Sequence, residues 1–589
     1  MTRRASGRVA LVVVFVAVAL LGYPGADLLS LGIGLTAAPT PTYPAVQGPL
    51  GWLHVEHPPG GTPFIADSQG RMVLLHGAIP GGLIDFWSGT DPSKTNTPPF
   101  YSTDPTDYAD GRCPTNYATI KVPPLCQKDI AEMAAMGFNS IRLALTWSLL
   151  EPERGQFNKQ YVDRVAQVVG WARDAGMYVI IDMHQNAYSR FVGRSDPPPL
   201  PGGALATMRD NAGAPAWATI TDGFASEIYA GQRELSPAVF EAETNFWYNR
   251  DGVQSEYIAA VAMLANRFKD DSTVVGYSLY NEPMPGWNLP PGFEDLLLFP
   301  FYRRAIDAVT GVRDGLPCPT QVFMPAACGF PDAGVHDVRQ LFFMDTGLLR
   351  EVTDFPTHLG LPVSSYRNLV LGIHPYTHGY TVDALLLHQP PDKATYPWGG
   401  YDQTYGLAER EARAIGAAVF VTEFGNDPKW DSVILPNELM EQERHRVGFA
   451  FWTWKENCAI NGGSWGVYDP VDCTHDPTVS KPASGCLRAS REQQLARVYP
   501  IASADPNLAY HYDSKTGAFS LGATGRFGDP STVVAIPSRV TGAVTVSGAI
   551  AGEAVVSPTP NGRTVTVYPA GGAFSIEVGA AQPSPPPPC

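Results

Sequence analysis

"VVGYSLYNEPMPGW", residues 274–287, reads as a buried strand that ends on a carboxylate. From Val274 to Tyr280 the run is apolar or aromatic apart from Gly276 and Ser278; Asn281 and Glu282 then stand side by side, and Pro283 stops the chain. An ionised carboxylate is costly to bury, so a strand that finishes this way aims Glu282 at something. Seven more short apolar runs occur: "MVLLHGA" (72–78), "NSIRLAL" (139–145), "MYVIIDM" (177–183), "QVFMPA" (321–326), "LVLGIHPY" (369–376), "AAVFVTEFG" (417–425) and "VGFAFWTW" (447–454). Helical patterns lie between most of them, such as Ile130, Met133 and Met136, or Val162, Val165, Val169 and Ala172. Continuously apolar strands separated by helices predict a parallel sheet covered on its outer face. Eight such units predict an α/β fold, the (β/α)8 TIM barrel. A doubly wound open sheet is the alternative, but its glycine fingerprint is missing.

Past about residue 500 the chain changes to short β-rich runs with Gly and Pro turns, which predicts a small C-terminal β-sandwich domain. The domain reading is 1–50 signal peptide or anchor plus Pro-rich linker, 51–498 barrel, 499–580 sandwich and 581–589 Pro-rich tail. At the start, Arg3, Arg4 and Arg8 precede the apolar run Val9 to Gly22, the pattern of a signal peptide. That predicts a secreted or cell-surface protein, with an uncleaved anchor as the alternative. Export would permit disulfides among the eight cysteines. Cys113 with Cys126 and Cys318 with Cys328 are close pairs, and the remaining connectivity stays open. No CxxC occurs, so no metal site is expected. A net charge of -16 argues against a nucleic acid partner.

Active sites of such barrels sit at the C-terminal ends of the strands. In this reading Arg142 lies in strand two and His184 follows strand three. Asn281 and Glu282 end strand four, His374 and Tyr376 strand six, Glu423 strand seven, and Trp452 and Trp454 strand eight. Two carboxylates across one rim suit glycoside hydrolysis, where one protonates the leaving oxygen and the other attacks or activates water. Arg142 is expected to keep Glu423 ionised, because a nearby cation lowers a carboxylate pKa. Trp452 and Trp454, two apart on a strand, are expected to point the same way; at least one is expected to stack on a sugar, with core packing as the alternative for the other. "HPYTH" (374–378) could suggest a metal through His374 and His378, but no carboxylate pattern accompanies the pair.

"YNEP" (280–283) and "TEFG" (422–425), in this order at strands four and seven, resemble glycoside hydrolase family 5, of the cellulase superfamily in clan A. The resemblance runs from about 52 to 495 and takes in Arg142, His184, the His-x-Tyr of "HPY" and the aromatic end of strand eight. It implies a retaining mechanism with Glu282 as acid/base and Glu423 as nucleophile, their carboxyls about 5–5.5 Å apart. It further implies that Asn281 meets the sugar 2-OH and that Tyr376 donates to Glu423. No cofactor is implied. Within the family, "DMHQNAYSR" (182–190) looks most like the endoglycoceramidases, and "SKTNTPPFYS" (93–102) resembles their Lys-containing segment, adding Lys94. Where that group usually has Asp after His-Gln, this chain has Asn186, a position near the glycone.

The function implied is a secreted, monomeric β-glycosidase that cuts sugar from a glycolipid at a membrane surface or micelle. A β-glucanase or steryl-β-glucosidase of the same family is the alternative. A carbohydrate-binding protein without catalysis would have lost one carboxylate, and both are present. The aglycone side is expected along strand four, lined by Phe191, Trp217, Phe224, Phe246 and Trp247 of the 186–250 insertion. Met284, Trp287, Leu289 and "LLLFPFY" (296–302) would complete it.

Overall fold

The computed structural model describes residues 50–581 except 86–101, 112–122, 193–210, 225, 227–231, 289–291, 313–331, 358–364, 382, 384–389, 391–397, 457–464 and 470–484. Three short N-terminal strands come first: β1 (Leu53–Glu56), β2 (Phe64–Asp67) and β3 (Met72–Val73). Eight strands then close a barrel: β4 (His76–Ala78), β5 (Ser140–Leu145), β6 (Tyr178–Met183), β7 (Val274–Ser278), β8 (Leu341–Asp345), β9 (Leu369–Ile373), β10 (Ala418–Phe424) and β11 (Gly448–Phe451). Every neighbouring pair around the ring is parallel. Both faces of these strands are covered, one by the barrel interior and the other by helices, which is why they are continuously apolar.

The fifth strand is not the one expected from sequence. Leu341–Asp345 takes that place between β7 and β9, while 321–326 lies outside the described residues. Both are short apolar runs, and periodicity alone cannot choose between them. Inside the barrel, β9 carries Gly372 where a Cβ would collide with the carboxylate of Asp345 and the hydroxyl of Thr422. A larger residue there would close the space that Asp345 occupies.

The run 72–78 also divides. Met72 and Leu74 face the C-terminal unit, whereas Val73 and Leu75 face the barrel interior, a strand alternation that serves two cores at once. The C-terminal strands are β12 (Tyr499–Ser503), β13 (Ala509–Tyr512), β14 (Phe519–Gly525), β15 (Thr532–Pro537), β16 (Val544–Ile550), β17 (Val555–Thr559), β18 (Gly562–Val567) and β19 (Pro569–Val578). They form two sheets, ordered β1-β2-β3-β12-β15-β18-β17 and β13-β14-β19-β16, around one shared core. The sequence reading grouped residues 51–73 with the barrel, but β3 pairs antiparallel with β12 and so extends the C-terminal sheet. Leu53, Val55 and Ile65 pack with the barrel interior, and Val55 N–H donates to Asn368 Oδ1 (3.1 Å), just before β9. The β1–β2 hairpin thus lies against the N-terminal end of the barrel, leaving the opposite end for chemistry.

Parts of the expected aglycone wall turn inward. Phe246, Trp247, Tyr257, Tyr280 and Phe301 pack edge-on or tilted against one another at 5.0–5.9 Å. Phe246 and Trp247 are buried, as are Leu297, Leu298, Phe299, Phe301 and Tyr302, so these parts of the expected wall are core. Among the described residues no helix is long and apolar enough to cross a membrane. Cys126 and Cys486 are each part of a disulfide, and the other six cysteines lie outside the described residues.

Candidate active site

Arg142 is the hub. It projects from β5 into the barrel with no solvent exposure. Its Nη2 donates to Asp182 Oδ1 (2.9 Å), Asp345 Oδ2 (3.0 Å), Asn281 Oδ1 (2.9 Å) and Ser278 Oγ (3.2 Å), and Nη1 donates to Glu423 Oε2 (3.2 Å). Burial works against the guanidinium charge, but Asp182, Asp345, Glu423 and Glu282 more than restore it and raise its pKa. In return Asp345, which burial would raise, is held below the usual carboxylate range by Arg142 and then His374.

This hub fixes the two carboxylates from behind. Glu423 Oε1 accepts from the Tyr376 hydroxyl (3.0 Å) while Oε2 holds Arg142. Glu282 sits in the left-handed region (φ 45°) just past β7, and its Oε1 lies 3.1 Å from His374 Nδ1. Gln185 braces that turn by donating from Nε2 to the carbonyls of Asn281 (2.7 Å) and Glu282 (3.0 Å). Asn281 is fully buried; its Nδ2 donates to the Gln185 carbonyl (2.9 Å) and its Oδ1 takes Arg142. His184 Nδ1 pairs with Asp182 Oδ2 (2.8 Å), and its ring lies parallel to Trp452 at 5.3 Å. Those contacts leave His184 Nε2 without a hydrogen bond among the described residues.

The structure brings Arg142, His184, Asn281, Glu282, His374, Tyr376, Glu423 and Trp452 together. Asn186 stands at the edge of the group, its backbone bridged to Ala212 (2.9 and 3.1 Å). Lys94 lies outside the described residues. Trp454 does not share the wall with Trp452. It is buried in the outer core, donating Nε1–H to Asp129 Oδ1 (3.1 Å) and meeting Tyr468 edge-on. Strand β11 ends at Phe451, so the alternation that would align the two indoles no longer applies. His374 and His378 have different partners: His378 Nδ1 lies 3.4 Å from Glu438.

Five participants were not assigned to the site from sequence, among them Asp182 and Ser278, which hold Arg142. Asp345 closes an apolar strand as Glu282 and Glu423 do, but its strand was assigned elsewhere. Gln185 sits between the noted residues His184 and Asn186. Glu351, on the helix Leu348–Thr353, is fully buried 3.6 Å from His374 Nδ1; nothing in "LLREVT" sets it apart.

Burial pushes Glu423 up, and the charge on Glu282 adds to this, against the pull of His374 and Arg142. Arg142 does favour the ionised form, as expected, but burial and the charge on Glu282 outweigh it. Burial would raise Glu282 as well; the hydrogen bond and charge of His374, with His184 and Arg233, hold it below the ordinary range. His374 itself is raised well above a free histidine: burial lowers it, but Glu351, Asp345 and Glu423 prevail. The carboxyls titrate as a set rather than singly.

Two carboxyls on one network, Glu423 held by Tyr376 and Arg142 and Glu282 by His374, can protonate a leaving oxygen and attack an anomeric carbon. The family model for cellulase, glycosyl hydrolase family 5, matches residues 113–312. Endoglycoceramidase I of Rhodococcus hoagii is 24% identical over 422 residues, 68% of this chain and 70% of its own. An endoglycoceramidase of Cyanea nozakii is 25% identical over 419 residues, covering 67% and 71%. The crystal structure of an endogalactoceramidase aligns with a TM-score of 0.64 at 26% identity, over 90% of this chain and 100% of that one. With its closed barrel and a carboxylate at the ends of strands four and seven, the chain is a glycoside hydrolase that resembles family 5, most like the endoglycoceramidases.

Proposed function

We propose that the protein is an exported, retaining β-glycosidase that releases sugar from a glycolipid. Glu282 protonates the glycosidic oxygen while Glu423 attacks the anomeric carbon; Glu282 then takes a proton from the water that frees the sugar. Asn281 orients the sugar at its 2-OH, and Trp452, backed by His184, offers it an apolar face. The convergence of Glu282 and Glu423 on the Arg142–His374 network carries this reading. The stereochemistry of the first product, read by NMR before mutarotation, tests retention. The basic and apolar N-terminus supports export, which the mass of the mature protein's N-terminal peptide would check.

The lipid part of the reading rests on the rim beyond Glu282 and on the relatives. Phe224 and Trp287 are 43% and 47% exposed, and Leu296 is 40% exposed. Trp287 meets Phe224 at 5.7 Å and Phe240 at 5.1 Å, and its indole N–H donates to Glu241 (2.8 Å). Burying acyl or sterol carbons on such a rim contributes about 0.8 kcal/mol per methylene, so three methylenes are worth roughly fiftyfold in affinity. A glycosylceramide in detergent is therefore expected to exceed the matching soluble oligosaccharide in kcat/KM by more than tenfold, and Trp287→Ala to narrow the gap. Equal values would leave the β-glucanase reading standing. A panel of glycosylceramides, steryl glucosides and β-glucans, with products weighed by mass spectrometry, separates the three substrate classes.

A further inference from the structure

The site holds more carboxyls than a two-carboxylate mechanism uses. Asp182, Asp345, Glu282, Glu423 and Glu351 gather around Arg142 and His374. Five buried or half-buried negative charges against two positive ones would be strongly unfavourable, so at least one proton resides among the carboxyls. The geometry singles out where. Asp182 and Asp345 both hold Arg142, and Glu423 holds Arg142 and Tyr376. Glu351 Oε2 is buried without any hydrogen bond among the described residues, and Oε1 has only the Thr346 hydroxyl at 3.5 Å. Its neighbour Arg350 turns away to Glu411 and the Thr404 carbonyl.

His374 stands between this side chain and the acid/base. Its Nδ1 is 3.1 Å from Glu282 Oε1 and 3.6 Å from Glu351 Oε2, and its Nε2 is 3.4 Å from Asp345 Oδ2. We propose that Glu351 is a positioning residue that stores the catalytic proton and exchanges it with Glu282 through His374. The proposal deepens the acid/base reading of Glu282 and rests on it. In the resting site Glu351 is a neutral acid, His374 an imidazolium and Glu282 a carboxylate. When a glycosidic oxygen settles against Glu282, the Nδ1 proton moves to Glu282 Oε1. The Glu351 proton then replaces it on Nδ1, leaving Glu351 as the carboxylate. The three groups together keep zero net charge until Glu282 gives its proton to the leaving oxygen; they carry one negative charge in the glycosyl-enzyme, and the proton that Glu282 takes from the attacking water returns to Glu351 by the same path.

The directions of the individual groups agree. Burial, reinforced by Glu282, Asp345 and Glu423, raises Glu351 well above an ordinary glutamic acid despite His374. The other charged groups facing this cluster are Arg142, whose charge is already shared among Asp182, Asp345 and Glu423, and His184 and Arg233 on the Glu282 side. The Tyr302 hydroxyl behind Asp345 stays neutral, donating to the Asp345 carbonyl (2.7 Å).

The test is the pH profile of Glu351→Gln on two β-glycosides of the same sugar, one with an alkyl and one with a 2,4-dinitrophenyl leaving group. Without Glu351, both the stored proton and the anion that retains it on Glu282 are lost. The basic limb of kcat/KM on the alkyl glycoside should fall by about one pH unit, a tenfold loss at fixed basic pH. On the dinitrophenyl glycoside, which leaves without a proton, the shift should be clearly smaller, and Glu351→Asp should recover part of it. A uniform loss on both substrates with an unshifted limb would overturn the role. Should Glu351→Gln fail to fold, infrared difference spectra of the wild type across the basic limb must show loss of a protonated-carboxyl stretch that Glu351→Asp displaces; its absence overturns the proposal equally. If instead Glu282→Gln retains turnover of the alkyl glycoside, the acid/base reading itself has failed.

Discussion

Replacing Glu423 by Gln is expected to cut turnover by more than a thousandfold while leaving the fold intact. The amide is nearly isosteric, keeps a carbonyl oxygen to accept from Arg142 while its NH2 can donate to the Tyr376 hydroxyl, and cannot form the glycosyl-enzyme. Glu282→Gln should lose roughly a hundred- to ten-thousandfold on alkyl glycosides, the usual range for a general acid/base. On a dinitrophenyl glycoside Glu282→Gln should give a burst, because glycosylation no longer needs its proton but deglycosylation still needs its base. Stability supplies a second readout. Glu423 has a folded-state pKa raised by burial, so its ionised form weakens the fold above the unfolded pKa and the neutral form does not. Glu423→Gln should therefore melt at or above the wild-type temperature at neutral pH. Near-wild-type turnover would remove Glu423 from the mechanism.

Arg142→Met is expected to be the most damaging change to stability, costing about 3–5 kcal/mol at neutral pH. Methionine fills much of the volume but leaves Asp182, Asp345 and Glu423 buried without their shared cation. The sign of the pH dependence follows from Asp345. In the wild type its lowered pKa contributes stability that is present above the unfolded value and lost as pH falls through the folded one. In the variant the stranded carboxyls have raised pKa values, so their penalty is absent in acid and grows as pH rises. Denaturant unfolding at neutral and mildly acidic pH should show the deficit shrinking in acid. A deficit below about 1 kcal/mol, or one that does not change with pH, would mean that Arg142 is not the counter-charge of the site.

Several features of this protein are local and were legible in its amino-acid order. A strand buried on both faces has to be apolar throughout, so β5, β6, β7, β9, β10 and β11 announce themselves. A carboxylate that ends such a strand has no packing role, which is why Glu282 and Glu423 stood out before any geometry was known. The period-two pattern also marks the C-terminal strands, as in the alternating burial of β14.

Other features depend on which elements meet. Leu341–Asp345 is chosen as the fifth strand by its neighbours β7 and β9, not by a composition that 321–326 lacks. The first strands join the far end of the chain because β12 arrives beside β3, a pairing across more than four hundred residues that no window of sequence contains. Trp454 and Trp452 part company where the strand ends, and Phe246 and Trp247 become core because Tyr257, Tyr280 and Phe301 fold around them. The residue order alone determined the barrel and the two carboxylates, since burial and chemistry act there on a residue and its immediate neighbours. Only the tertiary structure decided that Asp345 and Glu351 belong to the site, because their meaning lies in distances to Arg142 and His374, groups brought in from other strands.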